Sequence, residues 1–374
     1  MKPISDTLPK RNLLSSQIDL SKFNGTDFAP ATDEERAQTD VMGRSTTFFR
    51  DGMRRLRKNP LAMISLVVLV IIVRSIFIFP AIVPYSYDQI ISVNGVRDMG
   101  AKNLAPFHYS AMEQAYMAKG GKVFPHIFGT DEMCRDYFIR VIYGTRVSLA
   151  VGLFASLLVL IIGVLYGSIS GYAGGKVDLI MMRIVDIIYS LPDLLMIILL
   201  SVVFNETLGG DRLQGTIFQN LGSNMLSMFI VFGLLNWVGM TRLVRGQILT
   251  IKSNDYVLAS KSMGNKSRKI IRKHILPNCA SVIIITTALE IPSAIFTESY
   301  LSFLGLGVQA PMPSLGSLAN AARDGLILYP FKMFWPALMI VLIVLAFNLL
   351  GDGLRDAFDP KLRKRGGNHD GKHP

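Results

Sequence analysis

The stretch "VSLAVGLFASLLVLIIGVLYGSISGY" (147–172) runs from Val147 to Tyr172 without one charged residue. A helix of that length crosses a hydrocarbon core about 30 Å thick. Other runs do the same: "LAMISLVVLVIIVRSIFIFPAIV" (61–83), "LIMMRIVDIIYSLPDLLMIILLSVVF" (179–204) and "MLSMFIVFGLLNWVGM" with its flanks (222–241). "ASVIIITTALEIPSAIFTESYLSFLG" (280–305) and "MFWPALMIVLIVLAFNLLG" (333–351) complete the set. The overall hydrophobic share of 50% decides little, because globular domains reach about 45–50%. Clustering decides. Only helices satisfy their own backbone in lipid within a single segment, so the expectation is an all-α polytopic membrane protein with six transmembrane helices.

The start "MKPISDTLPKRNLLSS" has no apolar core and is not a cleavable signal; the first span is expected to act as an uncleaved anchor. The net charge of +12 raises the question of nucleic acid. Lys and Arg instead collect beside the spans, the positive-inside pattern, so the partner is the lipid bilayer and no nucleic acid is expected. Setting Arg54, Arg55, Arg57 and Lys58 in the cytoplasm places 242–274 and 355–367 on the same side, with both termini inside. The long segment 84–146 falls outside despite its basic residues, since long loops translocate largely regardless of charge. The expected divisions are a cytoplasmic arm 1–58, with an amphipathic helix in "STTFFRDGMRRLRK", and a first span 59–84. An extracytoplasmic segment 85–146, a core 147–352 enclosing the loop 242–279, and a basic tail 353–374 complete the division. Cys134 and Cys279 fall on opposite faces and cannot pair; no metal-ligand spacing exists.

The cytoplasmic stretch "DYVLASKSMGNKSRKIIRKHILPN" (255–278) carries one glycine and one proline. Ser253 or Asn254 is placed to cap a short helix, Asp255 stands in its first turn, and Gly264 suits a left-handed C-terminal cap. Ala259, Ser260 and Ser262 form a small-residue face. A basic piece comes next, and Pro277 stands where the fifth span is expected to begin. Such a helix suits a groove on another protein, or is simply a loop packed at the membrane surface.

This stretch resembles the EAA loop of ABC-importer permeases. In addition "GTDEMCRD" (129–136), "VIYGTRVSLAVG", "GYAGGKVDLIMMRIVDIIYSLPDLL" (171–195), "AIFTESYLSFLGLGVQAPMPSLG" (294–316) and "LAFNLLGDGLRDAFDPKLR" (345–363) stand in order. Together they resemble the C-type permease subunit of oligopeptide and dipeptide importers over residues 45–363. The family's Glu-Ala-Ala is Leu258-Ala259-Ser260 here, and a family glycine is Cys134; Asp131, Arg135 and Asp136 match. The resemblance implies a type I (MetI-like) permease fold in a prokaryotic cytoplasmic membrane. It implies a homologous second permease subunit, two cytoplasmic ABC ATPase subunits and an extracytoplasmic peptide-binding protein. Asp255, Ala259, Ser260, Gly264, Ile275, Leu276 and Pro277 would form the ATPase-coupling loop. The chain itself is not expected to be an enzyme or to hold a cofactor, ATP and Mg being bound by the partners. Its nearest approach to a phosphate-binding loop, "GYAGGKVD", lacks the first glycine and the Ser/Thr.

Ionisable residues within spans cost roughly 2.5–3.5 kcal/mol each on insertion scales, so each requires a reason. Arg183 and Asp186 are spaced to pair on one helical face, which Asp193 continues. Asp193, Glu290 and Glu298 are candidates for a polar translocation path, against the alternative of helix–helix contacts. Asp131, Arg135 and Asp136 are read as an extracytoplasmic structural element, and His108, His126 and His274 as isolated. Importers of nickel or glutathione share the architecture. A stand-alone secondary transporter would lack a docking loop, and a mere membrane anchor would not carry polar residues through several spans.

Overall fold

The computed structural model describes residues 48–208, 223–308 and 312–358. From Phe49 onward the described residues belong to a single compact unit, which contains all the spans. The arm before residue 48, the outer loop at 209–222 and the tail beyond 358 lie outside the described residues.

Helix α1 (Phe48–Leu56) matches the amphipathic segment expected there. Asn59 caps α2 (Pro60–Ile82), accepting the Ala62 N–H at 3.3 Å, and Pro60 occupies the first turn, where no N–H is needed. Beyond α2 lies a small polar subdomain. A hairpin pairs β1 (Ser92–Val93) with β2 (Val96–Arg97), and its Asn94-Gly95 turn takes the positive φ values such tight turns require. Helix α3 (Ala111–Ala118) opens on a reciprocal Ser110–Glu113 capping box.

Helix α4 (Tyr137–Ala173) is the central strut. It begins ten residues before Val147, because Asp136 caps it by accepting the Ile139 N–H at 3.0 Å. Arg140 and Thr145, in the turns of α4 that precede the apolar run, are buried inside the chain. Helices α5 (Gly175–Tyr189) and α6 (Asp193–Leu208) replace the straight third span expected over 179–204 and meet at 85°. Pro192 removes a backbone donor and biases Leu191 away from helical geometry, which breaks the segment there. Among the described residues, five helical segments are long and apolar enough to cross a membrane, or six with the bent pair taken as one span.

Helices α7 (Ser223–Leu235) and α8 (Trp237–Ile251) form one apolar segment that continues ten residues past the expected end at 241. Helix α9 (Asp255–Ser262) and α10 (Ser267–Ile270) come next. A π turn at Ile271–Ile275 then leads directly into α11 (Leu276–Phe303). Helix α12 (Leu315–Arg323) is capped by Ser314, and α13 (Pro330–Phe358) closes the bundle.

Packing radiates from α4. A β-carbon on Gly163, Gly167 or Gly171 would come within 2.6 Å of Met240 Cβ, 2.7 Å of the Thr241 carbonyl oxygen or 3.1 Å of the Arg245 carbonyl oxygen. This stripe with four-residue spacing lets α8 approach the α4 backbone closely. Gly152 does the same for α11 at Ile295. The core between α4, α11 and α13 gathers Ile139, Ile142, Leu149, Ile295 and Ile343, and the α4–α8 core gathers Val159, Met240, Val244 and Ile248.

Candidate functional site

Helix α9 starts at Asn254, whose extended backbone occupies the cap position but whose side chain makes no capping bond. Asp255 takes the first turn, where a carboxylate favours the positive end of the helix dipole. The other end closes as a Schellman turn. Gly264 has φ +76°, its N–H donates to Lys261 O at 3.0 Å, and the Asn265 N–H reaches Ser260 O at 3.4 Å. The left-handed cap expected at Gly264 is therefore present.

The small-residue face divides. Ser260 is buried, with its hydroxyl and carbonyl oxygens both accepting from Asn265 Nδ2, while Ala259 and Ser262 are exposed. Val257 is buried beside Ser260, and Leu258, Tyr256 and Met263 point outward, Met263 at 81% exposure. The outward surface of α9 is thus more apolar than its small residues suggest. Beneath it a cavity of about 750 Å³ lies between the Tyr172–Ala173 end of α4 and the start of the π turn, with Lys252 and Lys261 on its walls.

Ile275 is buried, Leu276 half-buried and Pro277 exposed. Pro277 stands in the first turn of α11, as expected, but helical backbone already precedes it, running from Ser267 through the π turn to Phe303. A proline inside an α-helix removes one N–H and drives its ring against the carbonyl four residues earlier, here Lys273. The π turn over Ile271–Ile275, in which the Leu276 N–H bonds Ile271 O, widens the helix at that point.

Polar links fasten this platform to the rest of the bundle. Arg245 of α8 grips Asp178 of α5 with two bonds of 2.6 Å, Ser170 Oγ also donates to Asp178, and Lys252 Nζ donates to Gly171 O at 2.9 Å. Arg242 pairs with Asp186 at 2.8 Å and stacks on Tyr189 at 4.0 Å. These contacts explain why α8 continues past residue 241, and they replace the expected Arg183–Asp186 pair; Arg183 is exposed. The Asp178–Arg245 clamp left no local sequence signal, since its members lie 67 residues apart.

The three path candidates are not brought together. Asp193 is exposed in the first turn of α6, beyond the bend that separates it from the face of Asp186. Glu290 is half-buried. Glu298 is fully buried, accepting from Ser148 Oγ and Ser302 Oγ at 2.7 Å each and from Ser299 Oγ at 3.3 Å. Ser148 Oγ also accepts the Leu315 N–H, and Ser302 Oγ the Val308 N–H. Glu298 thereby joins α4, α11 and the start of α12.

At the opposite end of α4, Asp131 folds its segment. Its Oδ1 accepts the Met133 and Arg135 N–H groups at 2.8 and 2.9 Å, and its Oδ2 accepts from Arg135 Nε at 2.8 Å. Cys134 holds φ +56°, the left-handed geometry a glycine would take there. Asp136 caps α4 and also meets His126. That histidine is not isolated: its Nδ1 lies 2.7 Å from Asp136 and its Nε2 2.9 Å from Glu113, all three buried. Burial alone would lower the His126 pKa, but the two carboxylates outweigh it and raise it to about 9. The imidazolium therefore ties α3 to the head of α4, with Tyr85 stacked on it at 5.2 Å.

With this geometry in place, the family models agree. The one described as "Binding-protein-dependent transport system inner membrane component" matches residues 163–364, and "N-terminal TM domain of oligopeptide transport permease C" matches 47–111. The chain belongs to this family of ABC-importer permeases, in its C-type oligopeptide and dipeptide branch. It is 43% identical over 333 residues to the dipeptide transport system permease protein DppC of Bacillus subtilis (strain 168), covering 88% of this chain and 92% of that one. The oligopeptide transport system permease protein OppC of the same strain is 38% identical over 337 residues, 90% and 97% of the two chains. A glutathione transport system permease protein, GsiD of Pectobacterium atrosepticum, is 39% identical over 238 residues, 64% and 73% of the two.

Proposed function

We propose that this chain forms half of the translocation pathway of an ATP-driven importer for oligopeptides or dipeptides. The observation that carries the reading is α9: a short helix ended by a Schellman turn, seated on the bundle by Val257 and Ser260. It offers Tyr256, Leu258 and Met263 outward. A separate ATPase subunit takes that surface, and a second ATPase serves a homologous permease subunit. ATP and Mg belong to those partners. An extracytoplasmic binding protein delivers the peptide, and both termini of this chain lie in the cytoplasm. ATPase closure moves α9, and α11 moves with it because the π turn makes α10 and α11 one rod. The bundle then switches between two packed arrangements. Asp255, Ala259, Gly264 and the Ile275–Pro277 turn serve this coupling, Ser260 by holding α9 in place.

Gly264 supplies the test. A β-carbon there meets nothing within 4 Å in this chain, so a substitution acts through backbone strain or the partner surface alone. Gly264→Val is expected to strain the left-handed turn by about 1–2 kcal/mol. Peptide-stimulated ATP hydrolysis should then separate from uptake, or the ATPase should copurify poorly. Gly264→Asn, which tolerates the same φ, is expected to retain coupling. Full coupled uptake by the valine variant would remove α9 from the transmission path. Glutathione is the second substrate to assay, given the 39% identity to a glutathione permease.

A further inference from the structure

The end of α4 remote from α9 borders a cavity of about 230 Å³, walled on its other side by α12. Glu132, Met133 and Ala321 are exposed at its rim, while Tyr137, Arg140 and Leu318 are buried in its wall. At about 30 Å³ per water it has room for roughly seven waters, or for one amino-acid residue.

Its charges do not balance. Arg135, Arg140 and Lys332 line it, against Asp131 and Glu132. Lys332 Nζ reaches Glu132 at 3.3 Å and Asn103 at 2.8 Å. Both arginines lean on one carboxylate: Asp131 Oδ2 lies 2.8 Å from Arg135 Nε and 3.4 Å from Arg140 Nε. Asp88 lies in the field of both arginines, but it is solvent-exposed, bonded to Ser86 and not part of the wall. Among the described residues that line the cavity, one positive charge is left over. Arg140 is only 7% exposed and donates from Nη1 to Tyr87 O at 2.8 Å, while its buried Nε, 3.4 Å from Asp131, makes no aligned hydrogen bond among the described residues. A buried guanidinium that shares its one carboxylate with a second arginine is poorly compensated, and its planar fork is shaped to grip another.

We propose that this cavity binds a carboxylate carried on a residue-sized body, with Arg140 as its main contact. The C-terminal residue of a peptide is such a group. That this carboxylate comes from a transported peptide rests on the importer reading; the site itself does not.

The test uses the full-length chain in lipid nanodiscs, titrated calorimetrically with N-acetyl-alanine and with its amide. The acid is expected to bind at least about tenfold more tightly than the amide, the difference a charged hydrogen-bond pair makes. Arg140→Lys keeps the charge but loses the planar fork, and should weaken acid binding by about tenfold. Ala321→Trp fills the exposed rim without touching a charge, and should abolish acid binding while leaving the unfolding temperature unchanged. Equal binding of acid and amide, no binding of either, or wild-type affinity in a folded Ala321→Trp variant would each overturn the site. In the assembled transporter, ATPase stimulation by Ala-Ala over Ala-Ala-amide, lost in both variants, would identify the peptide terminus as the ligand. Equal stimulation, with N-acetyl-alanine binding intact, makes the ligand a free acid. A complex that no peptide stimulates defeats the importer reading and leaves the site standing.

Discussion

His126 shows how far a single residue can depart from its sequence surroundings. Its partners Glu113 and Asp136 stand 13 and 10 residues away, so no local spacing reveals them; a capping serine before α3 and the loop back to α4 close the group. Because folding raises its pKa from 6.5 to about 9, its stabilising contribution is complete below pH 6.5 and fades as pH rises through 9. That contribution is of the order of 3 kcal/mol. His126→Gln is expected to lower the unfolding temperature most at pH 6 and to flatten its decline between pH 6.5 and 9.5, measured on the purified chain. An unchanged slope would show that the decline belongs to other groups. Gly264 was legible, since a glycine after a short polar helix has one common use. Cys134 was not: its left-handed backbone is written in no cysteine preference, and only the Asp131 turn around it explains the conformation.

The apolar runs marked where every span lies, and errors came at their ends and at one break. The run at 147–172 starts just after Arg146 and the run at 222–241 stops just before Arg242, yet α4 and α8 extend past both; Arg140 meets the Tyr87 carbonyl, and Arg242 and Arg245 meet distant carboxylates. Pro192 was visible in the sequence, but the apolar residues on both sides hid an 85° bend. The stripe Gly163, Gly167, Gly171 was equally visible as a motif, and its meaning required knowing that α8 is the neighbour. Gly167→Leu is expected to destabilise the chain by about 1–3 kcal/mol through overpacking against the Thr241 carbonyl. Gly246→Ala, on the open side of α8, should be neutral or slightly stabilising. Thermal unfolding of both variants in detergent compares them directly; equal losses would mean that α4 and α8 can spread at no cost.

For the whole molecule, the orientation proposed from the basic segments is open to a direct measurement. Cys134 and Cys279 are both buried, so engineered cysteines report without much background. A membrane-impermeant maleimide applied to intact cells should label Ile327→Cys, at a site 96% exposed, and leave Ser262→Cys untouched. The reverse pattern would place the α9 surface on the wrong side for any cytoplasmic ATPase. The length of α4 has a consequence for all of this. Its 37 residues rise roughly 55 Å, against a hydrocarbon thickness of about 30 Å. Some 25 Å of the rod must therefore stand in headgroups and water, shared between its two extremities. Neither Arg140 near its head nor the Asp178 clamp at its foot has to be dissolved in oil, and both ends remain reachable by soluble molecules while the middle is sealed in lipid and neighbouring helices.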